Sequence, residues 1–68
     1  MRAVVLEHLE GLYEHYGEEP GVRVARKHIG WYTRGLPGGE SFRRATNTLV
    51  SAAAQRAAVG EFFDRLVQ

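Results

Sequence analysis

Apolar residues recur at intervals of three and four along most of this chain, and the rhythm breaks at Gly17, between Gly35 and Gly39, and between Asn47 and Val50. That interval is helical: at about 100° per residue it gathers apolar side chains on one face of an α-helix. No stretch shows the period-two alternation of a half-buried strand. Four helical blocks with short links predict an all-α fold, a small four-helix bundle. With 68 residues the chain makes a single domain. A domain this small buries a limited share of its surface, so its stability is marginal.

The first helix is expected from about Ala3 to Tyr16, with Val5, Leu6, Leu9, Leu12, Tyr13 and Tyr16 on one side and Glu7, Glu10 and Glu14 opposite. Gly17 offers a left-handed stop. Glu18-Glu19-Pro20-Gly21 has the character of a helix start, because proline and carboxylates suit a helix N-terminus. The second helix follows and is closed by Gly35. A third, from Glu40 to about Asn47, is expected to turn Phe42, Ala45 and Leu49 inward. Ser51 is a candidate N-cap for a fourth helix from Ala52 to about Val67, whose apolar stripe is Val59, Phe62, Phe63 and Leu66.

The second helix has two distinct sides. Val22, Ala25, Ile29 and Tyr32 share the face expected to be buried, while Arg23, Lys27, Gly30 and Arg34 fall together on another. Trp31 and Val24 flank the basic row, with His28 beside them. Cations next to a flat ring suit nucleic acid, since the cations meet phosphate and the ring offers a stacking face. The competing reading is a central helix whose Trp31 is core and whose cations are a solvated face. Gly30 inside this helix costs about 1 kcal/mol relative to alanine. Close approach of a neighbouring helix, or of a bound backbone, would account for it; its place in the basic row favours the second.

The net charge of +1 hides a polarised distribution. Residues 1–20 set Arg2 against five glutamates, whereas residues 21–44 set six cations (Arg23, Arg26, Lys27, Arg34, Arg43 and Arg44) against Glu40 alone. Such polarity points to an anionic partner on one face, unless the acidic first helix simply pairs with the basic second. Much chemistry is excluded. There is no cysteine, hence no disulfide, thiolate metal site or thiol nucleophile, which suits a reducing, cytoplasmic setting. No run approaches the roughly 18 apolar residues of a membrane span, and Glu7 interrupts the N-terminus too early for a signal peptide. His8 and His15 lie two turns apart, about 10 Å, too far to share a metal. They are expected to be exposed or helix-capping. Pro37-Gly38-Gly39 lacks the preceding strand and following lysine of a phosphate loop, and no Ser-His-Asp order can be argued. His28 is the best acid–base candidate but has no evident orienting carboxylate. Catalysis by this chain alone is not expected.

Val22 to Tyr32, carrying Arg26-Lys27-His28 and then Trp31-Tyr32, followed by Gly35-Leu36-Pro37-Gly38 and Phe42-Arg43, resembles the C-terminal helical domain of bacterial tRNA-dihydrouridine synthases, most closely the B-type branch. Leu12-Tyr13-Glu14-His15-Tyr16-Gly17 fits the same pattern, so the resemblance runs from about Leu9 to Arg44. It implies tRNA as partner and a separate TIM-barrel catalytic domain that holds FMN, recharged by NADPH, with a cysteine as proton donor in the reduction of uridine. With no cysteine and no barrel, this chain is then the binding part alone, either excised or separately encoded, with no cofactor and no metal of its own. A tRNA-contacting role carries over to Arg26, Lys27 and His28, and to Arg23. Trp31 and Tyr32 match the pattern too; Tyr32 is read as packing, Trp31 as packing or stacking. Arg34 and Arg44 join the candidate RNA-binding set from their placement, not from the resemblance, and Arg43, which stands in the matched Phe42-Arg43, is a further candidate phosphate contact. Two other readings stand beside this one. A protein-interaction bundle without RNA binding would use Leu9 and Tyr13. Helix-turn-helix DNA binding would use the third helix, which is short and lacks a base-reading face.

Overall fold

The structure, a computed structural model, describes residues 2–67. Four helices follow one another: α1 (Arg2–Tyr16), α2 (Glu18–Thr33), α3 (Gly39–Thr46) and α4 (Ala52–Leu66). The all-α bundle expected from periodicity is the one observed, with boundaries within one or two residues.

A single residue, Gly17, joins α1 to α2. Its φ of 84° is the positive angle expected, but its ψ of 175° is extended rather than left-handed helical. This region is essentially open only to glycine. The reason is the one-residue link: the amide of Gly17 still bonds to the Tyr13 carbonyl at 2.9 Å, and its own carbonyl already accepts the first bond of α2 from Gly21 at 2.9 Å. Pro20 sits inside the first turn of α2, where its missing N–H costs nothing. At the far end Gly35, with φ of 80°, follows the last helical residues, and Gly38, at 75°, opens α3. Ser51 caps α4 as expected, its hydroxyl accepting from the Ala54 amide at 3.3 Å.

α1 and α2 pack antiparallel against each other, and α4 closes across both. The core is Val5, Leu6 and Leu9 of α1, Ala25 and Ile29 of α2, and Val59, Phe62 and Phe63 of α4. Phe42 of α3 stacks on Phe62 with ring centres 4.4 Å apart, which anchors the short helix to α4. Two expectations for inward residues fail. Tyr16 is 47% exposed, because it ends α1 where the chain turns away, and its ring meets only His15 edge-on. Ala45 is exposed; α3 is rolled so that Thr46 is the buried residue, its hydroxyl donating to the Phe42 carbonyl at 3.0 Å.

The polar ties between helices were not anticipated. Gln55, fully buried in the alanine-rich half of α4, accepts a hydrogen bond from the Tyr13 hydroxyl at 2.5 Å and donates to the Val22 carbonyl at 3.2 Å. Burial pushes the Tyr13 phenol up to about 12, against a smaller lowering by Arg56. The ion pairs of α1 run to α4, Arg2 to Asp64 at 2.8 Å and Glu10 to Arg56 at 3.5 Å. Among the described residues no carboxylate of α1 pairs with a cation of α2, so the acidic first helix does not neutralise the basic second. The protein-docking alternative also loses its surface: Leu9 is fully buried and Tyr13 is half-buried and bonded to Gln55.

Truncating Phe62 would remove a ring stacked between Phe42 and Phe63. Phe62→Ala is expected to lower unfolding free energy by about 3–5 kcal/mol, enough to unfold a marginal domain. Urea titration followed by circular dichroism reads this, and a loss under about 1 kcal/mol would contradict the core assignment. Gly39→Ala is expected to cost about 1–3 kcal/mol by the same measurement, because a Cβ there would collide with the Thr33 carbonyl oxygen.

Candidate nucleic-acid interface

The solvent face of α2 carries a shallow, open groove lined entirely by its own Pro20, Arg23, Val24, Lys27, His28 and Trp31. Arg23 and Lys27 are exposed, one turn apart, and among the described residues neither belongs to an ion pair. Trp31 is 58% exposed, so it is not the core residue of the competing reading. Its ring meets the His28 ring edge-on, centres 4.9 Å apart. His28 in turn lies 4.8 Å from His8 of α1, and His8 lies 5.9 Å from Tyr32. Tyr32 packs half-buried against the core, as expected.

The other cations are placed differently. Arg26 is half-buried and turned toward the α3–α4 link, where its guanidinium donates to the Leu49 carbonyl at 3.0 Å. Arg43, also half-buried, lies across Gly30 and reaches the Thr33 hydroxyl at 3.5 Å. A Cβ at Gly30 would meet the Arg43 Cδ at 3.6 Å, an ordinary contact, so the packing of α3 does not require the glycine there. Arg44 is exposed and paired with Glu40 at 2.8 Å. Arg34 is exposed at the extended C-cap of α2 and does not line the groove. Of the eight candidates, the structure gathers Arg23, Lys27, His28 and Trp31 and leaves Arg26, Arg34, Arg43 and Arg44 outside.

His8 escaped the sequence reading, which expected an exposed or capping histidine. It is exposed, yet its ring is part of the cluster at the α1–α2 seam. The available signal was the one-residue link at Gly17: it forces a tight antiparallel hairpin, which sets early residues of α1 against late residues of α2.

A family model described as dihydrouridine synthase (Dus) matches residues 2–67. The chain belongs to the dihydrouridine synthase family. Among its relatives, tRNA-dihydrouridine synthase B of Pseudomonas aeruginosa is 51% identical over 63 residues, covering 93% of this chain and 19% of that protein. The same-named protein of Shewanella oneidensis is 51% identical over 67 residues, 98% of this chain and 20% of its own length. A probable tRNA-dihydrouridine synthase of Rickettsia conorii is 42% identical over 65 residues, 96% and 20% respectively. The chain therefore spans about one-fifth of the length of the curated relatives it matches. No solved structure matches it. The likeness extends through α4, beyond the Leu9 to Arg44 stretch that carried the resemblance.

The starts of α2, α3 and α4 in this dihydrouridine synthase segment offer no open helix N-terminus to a phosphate such as that of FMN. Such a group favours an unencumbered helix N-terminus. Here α2 opens with Glu18 and Glu19, α3 has Glu40 in its first turn, and the start of α4 is capped by Ser51 and by Glu18, which accepts from the Ala52 amide at 3.1 Å. Among the described residues no helix is long and apolar enough to cross a membrane, and no group of three or more acidic or histidine side chains could hold a metal.

Burial, and then the charges of His8 and Lys27, hold His28 below its ordinary value of 6.5. The unfolded chain therefore takes up this proton before the folded one does. The stability contributed by neutral His28 is intact above about pH 6.5 and is lost as pH falls toward the lowered folded value. The urea midpoint of the chain is expected to fall between about pH 7 and pH 5.5, and His28→Gln to flatten that fall. Identical pH profiles for the two proteins would refute the burial of His28.

Proposed function

We propose that this chain is the C-terminal helical part of a tRNA-dihydrouridine synthase and that it grips tRNA through the groove on α2. The carrying observation is the juxtaposition of two exposed cations that belong to no ion pair among the described residues, Arg23 and Lys27, with a half-exposed tryptophan on the same helix face. Folded tRNA presents phosphates, 2′-hydroxyls and exposed bases, and the groove offers a partner for each kind of surface. The tRNA-dihydrouridine synthase names of relatives more than 40% identical support tRNA as the ligand. The chemistry of reduction belongs to the remaining four-fifths of the parent protein, read here as a TIM barrel with FMN and NADPH. A cofactor of that kind does the redox work while protein must place one uridine against it. The helical part contributes positioning: it adds contacts far from the reacting base and so fixes which uridine reaches the flavin. Arg34 and Arg44, exposed but outside the groove, are secondary candidates for phosphate contact, and Arg26 and Arg43 chiefly hold the helices that present it.

Trp31 is the only tryptophan, so its fluorescence reports binding directly. Titration with folded tRNA is expected to quench it, with affinity falling as salt rises. The double variant Arg23→Glu/Lys27→Glu should retain its helicity, weaken binding by at least about tenfold, and make the log–log salt slope shallower by about two. Unchanged affinity in that variant, or salt-independent binding by the parent chain, would refute the groove.

A further inference from the structure

The α2 groove does not end at Trp31. Its His28 edge touches His8, and His8 is also part of a second, smaller depression on α1, lined by Val4, Glu7 and His8. The two depressions thus meet at the His8–His28 contact. Along this path the ring centres are spaced 4.9 Å from Trp31 to His28 and 4.8 Å from His28 to His8. Val4, 64% exposed, stands one turn before His8 on the same helix face. The charges at the two ends differ: Arg23 and Lys27 on α2, and Glu7 on α1, which is exposed and belongs to no ion pair among the described residues.

We propose that this track binds unpaired nucleotides across the α1–α2 seam, with phosphate on Arg23 and Lys27 and bases stacked on the exposed rings of Trp31 and His8, which stand on either side of the tilted His28 ring. The inference rests on the RNA-binding reading and adds to it a ligand class and a new contact residue, His8. Every base has a π-face, so rings in a row bind extruded bases with little regard to sequence. Duplex RNA hides those faces inside its stack and offers only its backbone and groove edges. The Glu7 carboxylate bars a phosphate from the α1 end and can accept a hydrogen bond from a base N–H. The polarity of the track therefore sets the orientation of the strand: backbone toward α2, base toward α1.

The test uses the 68-residue chain with three fluorescently labelled probes: a short oligoadenylate, a blunt RNA duplex of similar charge, and folded tRNA, read by polarisation. The oligoadenylate is expected to bind more tightly than the duplex and to quench Trp31. His8→Ala should weaken oligoadenylate binding about 5- to 150-fold, the range for one stacked base, and leave the salt slope unchanged. His8→Phe, which keeps a ring, should restore most of the affinity. Duplex binding as tight as that of the oligoadenylate, or an affinity indifferent to His8→Ala, would overturn the base track while leaving the phosphate groove in place. Failure of all three probes to bind would overturn the groove as well.

Discussion

Everything in this domain follows from how closely α1 and α2 approach one another. The crossing lies at Gly21, where a Cβ would stand 3.1 Å from both the Leu12 carbonyl oxygen and the Tyr13 Cα. Any side chain there would have to push the two backbones apart. Gly17 makes the approach obligatory, because a one-residue link with φ of 84° leaves no slack between the helices. From that fixed hinge the helices run back along each other in register. Leu9 and Val5 then meet Ile29 and Ala25, and the same register carries His8 to His28. The core and the surface ring cluster are two faces of one helix pairing.

α4 is locked to this hairpin by polar contacts as much as by apolar ones. Gln55 bonds to α1 through Tyr13 and to α2 through Val22. A buried amide left unpaired is costly, so such a pair of bonds discriminates against other registers of α4 more sharply than alanine packing can. The raised Tyr13 phenol has the same origin: an ionised oxygen at this seam would lose water and gain no cation close enough to compensate. The outer pairs Arg2–Asp64 and Glu10–Arg56 are half-exposed and contribute little beyond alignment.

The sequence carried the helices because their apolar spacing, the glycines and proline at their ends, and the Ser51 cap are local signals. It carried the exposed cations of α2 for the same reason. It did not carry Gln55, which owes its role to residues more than 30 positions away, and it carried His8 only indirectly, through the tight hairpin that Gly17 imposes. Arg26 is an instructive case. On a helical wheel it lies about 40° from Val22, on the side of the buried face opposite Trp31, so periodicity alone already turns it away from the groove. It entered the candidate set through the family pattern, which records that a residue recurs and not what it touches. Gly30 suggested close approach of a helix or of a ligand's backbone; what lies beside it is the Arg43 side chain at ordinary contact distance, from a helix whose placement depends on the Gly38–Gly39 turn and the Phe42–Phe62 stack.

The way cations are apportioned bears on which of them can serve an anionic partner. A cation that already holds a carboxylate must surrender it before it can meet phosphate, and the gain is reduced by the pair that is broken. Arg44 is in that position with Glu40. Arg26 and Arg43 are held by a carbonyl and a hydroxyl and are half-buried, so moving them would also uncover packed surface. Arg23 and Lys27 face neither cost: they are exposed one turn apart and in no ion pair among the described residues, with Glu18 and Glu19 lining a depression on the far side of Arg23. Nor does α1 screen them, because Glu10, its one carboxylate in an ion pair among the described residues, is turned to Arg56 on α4. A net charge of only +1 is therefore compatible with a local anion-binding face, since at physiological salt charges farther apart than about 8 Å are largely screened from each other. Affinity at this surface is governed by which cations remain uncommitted within that distance of Trp31, rather than by the charge of the chain.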